Sequence, residues 1–324
     1  MPTAPPISVI VCSYNSRQRI DRSLRSLRRQ DLAEPSEVIV VDSGRDGAHE
    51  YVRAAYPEVT VVRSERRLFP GPARNAGVRA AHGEVVAFLP DDGVAAPDWL
   101  RRRLERHRQG YLAVGGAIAN GTPSSAIGTA GYLIEYAALV PSAPVLWQQA
   151  LPHCLSYHRS LFDRFGLFPE GAETGEDTLF NRRLVAAGVP IALDPEIVLA
   201  HVNPTGMRAY LRHQFEHGRG MAQCAVLYEL EGPVGPSGQS PARAAWRLLV
   251  RYPFRRWMAA GRRLRIGRGA WLRRYLTLTP LVWAGIWSAG FGAWREVLVL
   301  RRSAARGPLA VDAVTSRPGA NGRA

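Results

Sequence analysis

Hydrophobic positions in the first half of the chain fall into short β-branched runs, separated by stretches in which apolar residues recur every three or four positions. Ile7–Cys12 (ISVIVC), Glu37–Asp42 (EVIVVD), Val59–Arg63 (VTVVR) and Val85–Leu89 (VVAFL) predict four strands. Ile20–Arg29, with Leu24 and Leu27 on one face, Gly47–Ala55 and Pro72–Ala81 predict the helices between them. Strands of about five residues alternating with helices of about ten read as βαβ units on a mostly parallel sheet. The runs are nearly continuous rather than strictly alternating, as expected of strands covered on both faces.

In such a sheet ligands bind beyond the carboxyl ends of the strands. The first run gives way to Ser13 and Tyr14, the second ends at Asp42 in VDSG, and the fourth runs into PDDG, with Asp91 and Asp92 side by side. Asp42, Asp91 and Asp92 are therefore expected to be neighbours. Adjacent carboxylates repel, and keeping both ionised needs a cation or good solvation; a solvated Asp92-Gly93 turn is the alternative. The segment after the first strand, CSYNSRQR, contains neither GxGxxG nor GxxxxGKS, which argues against a dinucleotide or P-loop site.

Composition narrows the class. A chain of 324 residues, 46% hydrophobic, can form one large domain or two small ones with a real core. Cys12, Cys154 and Cys224 match no zinc spacing and suggest no disulfide framework, which favours a reducing compartment. The first residues read as no secretory signal, so the catalytic part is expected in the cytoplasm. Charge is unevenly placed. Residues 1–240 hold 25 Arg and 25 acidic residues, whereas residues 241–324 hold 17 Arg against Glu296 and Asp312, so the whole net charge of +15 sits in the last quarter. A basic tail on a neutral body points to an anionic partner, lipid head groups or nucleic acid.

The segments ISVIVCSYN, EVIVVDSG, GPARNAGVRAAHGEVVAFLPDDGVAAPDWL, CLSYHRSLFDRFGLFPEG, GEDTLFNRRLVAAG and AHVNPTGMRAYLRHQFEHGRG, in that order over roughly residues 6–225, resemble family 2 glycosyltransferases. The resemblance implies a GT-A αβα sandwich, a UDP- or GDP-type nucleotide-diphospho-sugar donor, Mn²⁺ or Mg²⁺, and inverting transfer of a hexose to a hydroxyl. A departing diphosphate calls for a cation, and such cations take hard oxygen ligands. The resemblance gives that contact to Asp92 and turns Asp91 toward the ribose. Asp42 would accept from the base or ribose, with Ser13 and Tyr14 at the same edge and Arg74 and Asn75 opening the third helix beside it. His201 would join the metal or touch the diphosphate; Arg219, with Arg212 and Gln214, would reach the diphosphate on closure.

Transfer to a hydroxyl also needs a general base across the sugar from the leaving group, and the resemblance assigns Asp177, beside Glu176. His153, Tyr157 and Arg159 would wall the acceptor side, with Cys154 where Asn is expected and Pro90 where the family often has a further Asp. Each assignment has a structural alternative. Asp42 could cap a strand, Tyr14 could pack, Arg74 could lie on a solvated helix face, His201 could be a satisfied strand-end residue, and Asp177 could pair with Thr174 in a capping box. No QxxRW element follows, which favours one sugar per visit over polymerisation.

The expected organisation is a catalytic domain over 1–230 (donor half 6–110, acceptor half 111–230), a linker at 231–242, an Arg- and Trp-rich helical region at 243–302 and a disordered tail from 303. Residues 275–294 are twenty consecutive uncharged positions flanked by Arg273, Arg274 and Arg295, the length a bilayer-spanning helix needs. Pro280 and the glycines weaken that reading, and the Arg/Trp mixture upstream resembles surface-lying helices. Together these predict an enzyme held at the cytoplasmic face of the cell membrane by interfacial or re-entrant helices, acting on a lipid-linked or cell-envelope glycan acceptor and binding no nucleic acid. A single span and plain packing are the alternatives for the tail; a non-catalytic basic module and a nucleotidyltransferase are the alternatives for the whole.

Overall fold

The protein was analysed as a computed structural model that describes residues 5–141, 147–148, 155–228, 234, 240–265 and 269–304. All four predicted strands and three predicted helices are present within two residues of their expected ends: β1 (Ile7–Ser13), α1 (Ile20–Leu27), β2 (Ser36–Asp42), α2 (Ala48–Ala55), β3 (Thr60–Arg63), α3 (Pro70–Ala80) and β4 (Val85–Phe88). Among themselves these strands pair in parallel, and the register sets Ser13 beside Asp42 and Asp42 beside Arg63 in one row across the carboxyl edge.

The chain continues through β5 (Gly93–Ala95), α4 (Trp99–Arg108), β6 (Ala113–Asn120), α5 (Ala126–Tyr136), β7 (Trp147–Gln148), β8 (Ser156–His158), α6 (Ser160–Phe165), α7 (Glu176–Ala186), β9 (Ile191–His201) and α8 (Met207–Leu227). The nine strands form one mixed sheet in the order β3-β2-β1-β4-β8-β6-β9-β5, with β7 also on β9. Parallel pairing holds through the first half and between β6 and β9, while β8, β5 and β7 run antiparallel to their neighbours.

Successive side chains of a strand point to opposite faces, and the core divides accordingly. Val9 and Val11 of β1, Val40 of β2 and Ala87 of β4 face one layer with Ile20, Leu24, Trp99, Leu104 and Tyr132. Ile10, Ile39, Val41, Val86 and Phe88 face the other, with Ala73, Val78, Phe162, Phe168 and Phe180. Each fully buried aliphatic or aromatic side chain contributes about 1.5–3 kcal/mol, so covering both faces fixes the sandwich and its register together. The expected αβα architecture is thereby realised.

The C-terminal region is helical, as expected: α9 (Pro241–Trp246), a π-helical segment at Arg247–Arg251, α10 (Tyr252–Arg265), α11 (Gly269–Thr277) and α12 (Thr279–Ala304). α12 lies along α8, burying Val282, Ile286, Ala289, Ala293, Val297 and Leu300. The backbones approach so closely that a Cβ on Gly218 would sit 1.8 Å from the Ala289 carbonyl oxygen, and one on Gly292 2.1 Å from that of Phe215. The glycines of the uncharged stretch thus serve helix packing. That stretch is divided between α11 and α12, and among the described residues no helix is long and apolar enough to cross a membrane, so the single-span alternative is set aside. Most of the expected linker and all of the tail beyond Ala304 lie outside the described residues, and α12 extends over Ser303 and Ala304.

Candidate active site

The two adjacent aspartates occupy the centre of a tight turn. Gly93 N donates to the Pro90 carbonyl at 3.0 Å, and Ser23 Oγ of α1 clamps the turn by donating to Pro90 O (3.1 Å) and Gly93 O (2.7 Å). Consecutive residues in a turn point apart, so each carboxylate finds its own counterpart. Asp91 meets the Arg19 guanidinium at 2.9 Å. Asp92 Oδ1 lies 3.3 Å from His201 Nε2. Sheet register explains the second contact: Gly93 pairs with His201 across β5 and β9, and Val202 N donates to the Asp92 carbonyl at 3.0 Å.

Asp42, fully buried at the end of β2, has a complete set of partners. Its Oδ1 accepts from Ser13 Oγ (2.7 Å) and Gly44 N (3.2 Å). Its Oδ2 accepts from Arg63 (3.0 Å) and lies 3.2 Å from His49 Nδ1. Ser13 Oγ also meets Ser16 Oγ at 2.7 Å, and Ser16 in turn hydrogen-bonds Asp91. Two serines therefore join Asp42 to the Asp91-Asp92 turn, and the three aspartates share one edge as expected. Tyr14 lies beneath the Arg67 guanidinium, 4.4 Å from its ring centre.

The second carboxylate pair opens α7. Gly175, in the left-handed conformation at φ 92°, is the residue preceding the helix, and its side chain-free position makes no capping box with Thr174. Glu176 and Asp177 are buried and face Arg74 of α3, at 3.1 Å and 3.7 Å. Asp177 Oδ1 accepts from Thr178 N at 2.6 Å. Cys12, next to last in β1, feels both pairs: burial pushes its thiol up to about 12, with Arg74, Glu176 and Asp91 all acting on it. Residues 85 positions apart in the chain thus converge on the end of one strand.

Other expected contacts go elsewhere. Asn75 ties α3 to the segment after α6, donating to Phe168 O (2.9 Å) and Glu170 (2.7 Å) and accepting from Phe168 N (2.9 Å). Arg219 binds three carboxylates, Glu296 (2.9 Å), Glu216 (2.7 Å) and Glu173 (3.3 Å), linking α8 to α12. Tyr157 is a core residue that donates to Asn181 at 2.8 Å, and Arg159 donates to the carbonyls of Gly83 and Ala81. His153 and Cys154 lie outside the described residues.

The family model "Glycosyl transferase family 2" matches residues 8–166, which contain β1 through the Asp91-Asp92 turn to β8 and α6. The succinoglycan biosynthesis protein ExoO of Rhizobium meliloti is 30% identical over 228 residues, a match covering 64% of this chain and 64% of that protein. The glycosyltransferase AglE of Haloferax volcanii is 26% identical over 69% of this chain and 76% of its own length. Residues 8–166, just under half of the chain, match glycosyl transferase family 2. Among solved structures, a mannosyltransferase from Pyrobaculum calidifontis in complex with GDP-Man and Mn²⁺ shares the GT-A fold over 90% of this chain and 88% of its own, at a TM-score of 0.60 and 22% identity.

The electrostatics of the two carboxylate pairs differ. Burial and the repulsion of Asp92 raise Asp91, while Arg19 and Ser16 oppose the shift. Burial and the neighbouring Asp177 raise Glu176 to about 7 against the opposing field of Arg74. Asp92 and His201 fit a divalent cation. They bring a carboxylate oxygen and an imidazole nitrogen within 3.3 Å of each other, donor types that Mn²⁺ accepts. The other ring nitrogen, His201 Nδ1, is buried without a hydrogen-bond partner, and Tyr136 packs on the ring at 5.0 Å between centres.

Beyond this pair lies a cluster absent from the sequence-based expectations. Glu135 of α5 and His213 and His217 of α8 hold ligand atoms within 4.8 Å of one another. Glu135 Oε1 takes His213 Nε2 at 3.1 Å and Gln214 Nε2 at 2.5 Å. Burial would raise Glu135, but His217 and His213 hold it well below the usual carboxylate range. Burial would lower His213, and Glu135 outweighs it with help from Asp92. The field of Asp92 reaching His213 sets this cluster beside the metal-site candidate. Its sequence signal was the His-x3-His spacing on one face of α8; Glu135, 78 positions away, gave none.

Proposed function

We propose that the chain is a metal-dependent, inverting hexosyltransferase that moves a sugar from a UDP- or GDP-type donor to an acceptor hydroxyl at the cytoplasmic face of the membrane. The observation that carries it is the convergence of two carboxylate pairs on the end of β1, Asp91 and Asp92 beside Arg19 and His201, Glu176 and Asp177 beside Arg74. The GDP-Man and Mn²⁺ bound by the Pyrobaculum enzyme support a donor and cation of this class.

Asp92 and His201 would hold the cation, whose charge compensates the departing diphosphate. The buried row Ser13, Asp42 and Arg63 would shape the nucleoside end of the donor site, with Tyr14 at its border. Asp91, held by Arg19, would face the ribose. Asn75 and Arg219 would act by fixing the walls rather than by touching the donor. Asp177 would take the proton of the acceptor hydroxyl as its oxygen attacks the anomeric carbon; the bond from that carbon to the diphosphate breaks, its electron pair leaves with the phosphate oxygen, and the centre inverts. Arg74 and Glu176 would hold Asp177 in place. The excess of arginine in the C-terminal helices supports membrane attachment, and the name of the Rhizobium relative supports an envelope glycan as product.

The test is calorimetry and single-turnover transfer with a panel of UDP- and GDP-sugars and Mn²⁺. Asp92→Asn should abolish the Mn²⁺-dependent part of donor binding. Asp177→Asn should keep donor binding and lower transfer by about 10²–10⁴-fold. Equal activity of wild type and Asp92→Asn would remove the metal-site assignment, and loss of donor binding in Asp177→Asn would make that residue structural.

A further inference from the structure

A cavity of about 560 Å³ lies beside the site between α5, α8, α12 and the C-terminal helices, within the roughly 300–1,000 Å³ of ordinary ligand pockets. Arg247, Arg251, Arg255 and Arg256 line it together with Glu135, Gln214 and His217. Glu135, the one carboxylate among the lining residues, already holds His213 and Gln214. Arg256 donates to Ile134 O at 2.7 Å, but its Nε is buried without a partner. Arg251 and Arg255 have no ion pair among the described residues. Guanidinium donors such as those of Arg251 and Arg255, in a cavity whose lining carboxylate is already engaged, are suited to phosphate oxygens.

The same helices show where that phosphate would come from. Arg247, Arg251 and Arg255 recur every four positions, and immediately beside them Trp246, Val250, Phe254 and Met258 recur at the same spacing, all exposed by 36–57%. An arginine row flanked by a protruding apolar row is the arrangement of a helix lying at a bilayer interface, with apolar side chains among the acyl chains and cations at head-group depth. Arg247 and Arg251, at the two ends of the π-helical segment, line the cavity, while the adjacent Trp246 and Val250 are exposed.

We infer that this cavity binds the phosphate or diphosphate group of a membrane-embedded lipid, the carrier to which the acceptor sugar is attached. The inference rests on the hexosyltransferase reading and specifies its acceptor: the sugar-bearing end would reach past Glu135 and His217 to Asp177 and the donor, while the lipid tail stays in the membrane beside Phe254 and Met258.

The experiment is calorimetry of the full chain with farnesyl diphosphate, inorganic pyrophosphate and phosphatidylglycerol vesicles, for wild type and the double variant Arg251→Ala/Arg255→Ala. Both arginines are exposed and unpaired, so the variant should fold, checked by its melting temperature. Saturable binding of farnesyl diphosphate, at least tenfold tighter than pyrophosphate and at least tenfold weakened in the variant, supports the inference. Equal affinity for pyrophosphate, binding unchanged by the variant, or binding only to phosphatidylglycerol vesicles would overturn it. Donor binding with Mn²⁺, measured on the same samples, separates the two readings: its absence beside intact farnesyl diphosphate binding would sink the transferase reading and leave the pocket standing.

Discussion

Arginines in the sheet domain and arginines in the C-terminal helices do different work. In the first, guanidinium groups are committed to carboxylates: Arg19 to Asp91, Arg63 to Asp42, Arg74 to Glu176 and Asp177, Arg106 to Asp194. Those pairs set the positions of the residues that make the site. In the second, acids are almost lacking, and Glu296, the one acid in the described part of that region, is already held by Arg219 and Gln223. The same residue type thus joins carboxylates in one region, and in the other lines a cavity and the surface with few acids to meet. Net charge alone, +15, would not distinguish the two.

Stability should respond most at the buried end of this contrast. Arg74→Ala removes the shared partner of two buried carboxylates, which costs about 3–5 kcal/mol for a broken buried pair; urea unfolding should show it, and a loss under 1 kcal/mol would mean the pair relaxes or takes up protons. Next comes pH. The native Glu176 pKa of about 7 exceeds the ordinary 4.5, so between those values the folded chain keeps a proton that the unfolded chain has released. This group's contribution to stability therefore declines as pH rises from about 4.5 to about 7. The transfer rate should rise across an inflection near 7, and Glu176→Gln should erase that inflection; an unchanged profile would assign it elsewhere. Smallest is the expected effect of Arg251→Ala/Arg255→Ala on folding, within about 0.5 kcal/mol as for surface residues without partners. A larger loss would show that these arginines have structural partners after all, and would dissolve the contrast.

The first half of the sheet was legible along the chain because its strands are short, β-branched and joined by helices of ordinary length. The second half was not. β8 and β5 have three residues each, too few for a periodic signal, and β6 contains paired glycines, one of which lies against the Ile197 carbonyl. The uncharged stretch at 275–294 has the length of a span but is broken between α11 and α12, and its small residues are explained only by α8 lying against them. The capping reading of Asp177 likewise failed for a local reason, since Gly175 takes the left-handed conformation before the helix.

Sequence by itself determined the parallel βαβ half, the placing of polar residues at its strand ends, and the segregation of charge into the last quarter, because these follow from local periodicity and composition. Tertiary structure decided which polar residues meet. Asp92 faces His201 because β5 pairs with β9, Arg74 faces Glu176 because α3 packs near α7, and Glu135 reaches His213 because α5 lies beside α8. Contacts of that kind depend on strand register and helix packing between segments 70 to 110 residues apart, and no short-range pattern encodes them.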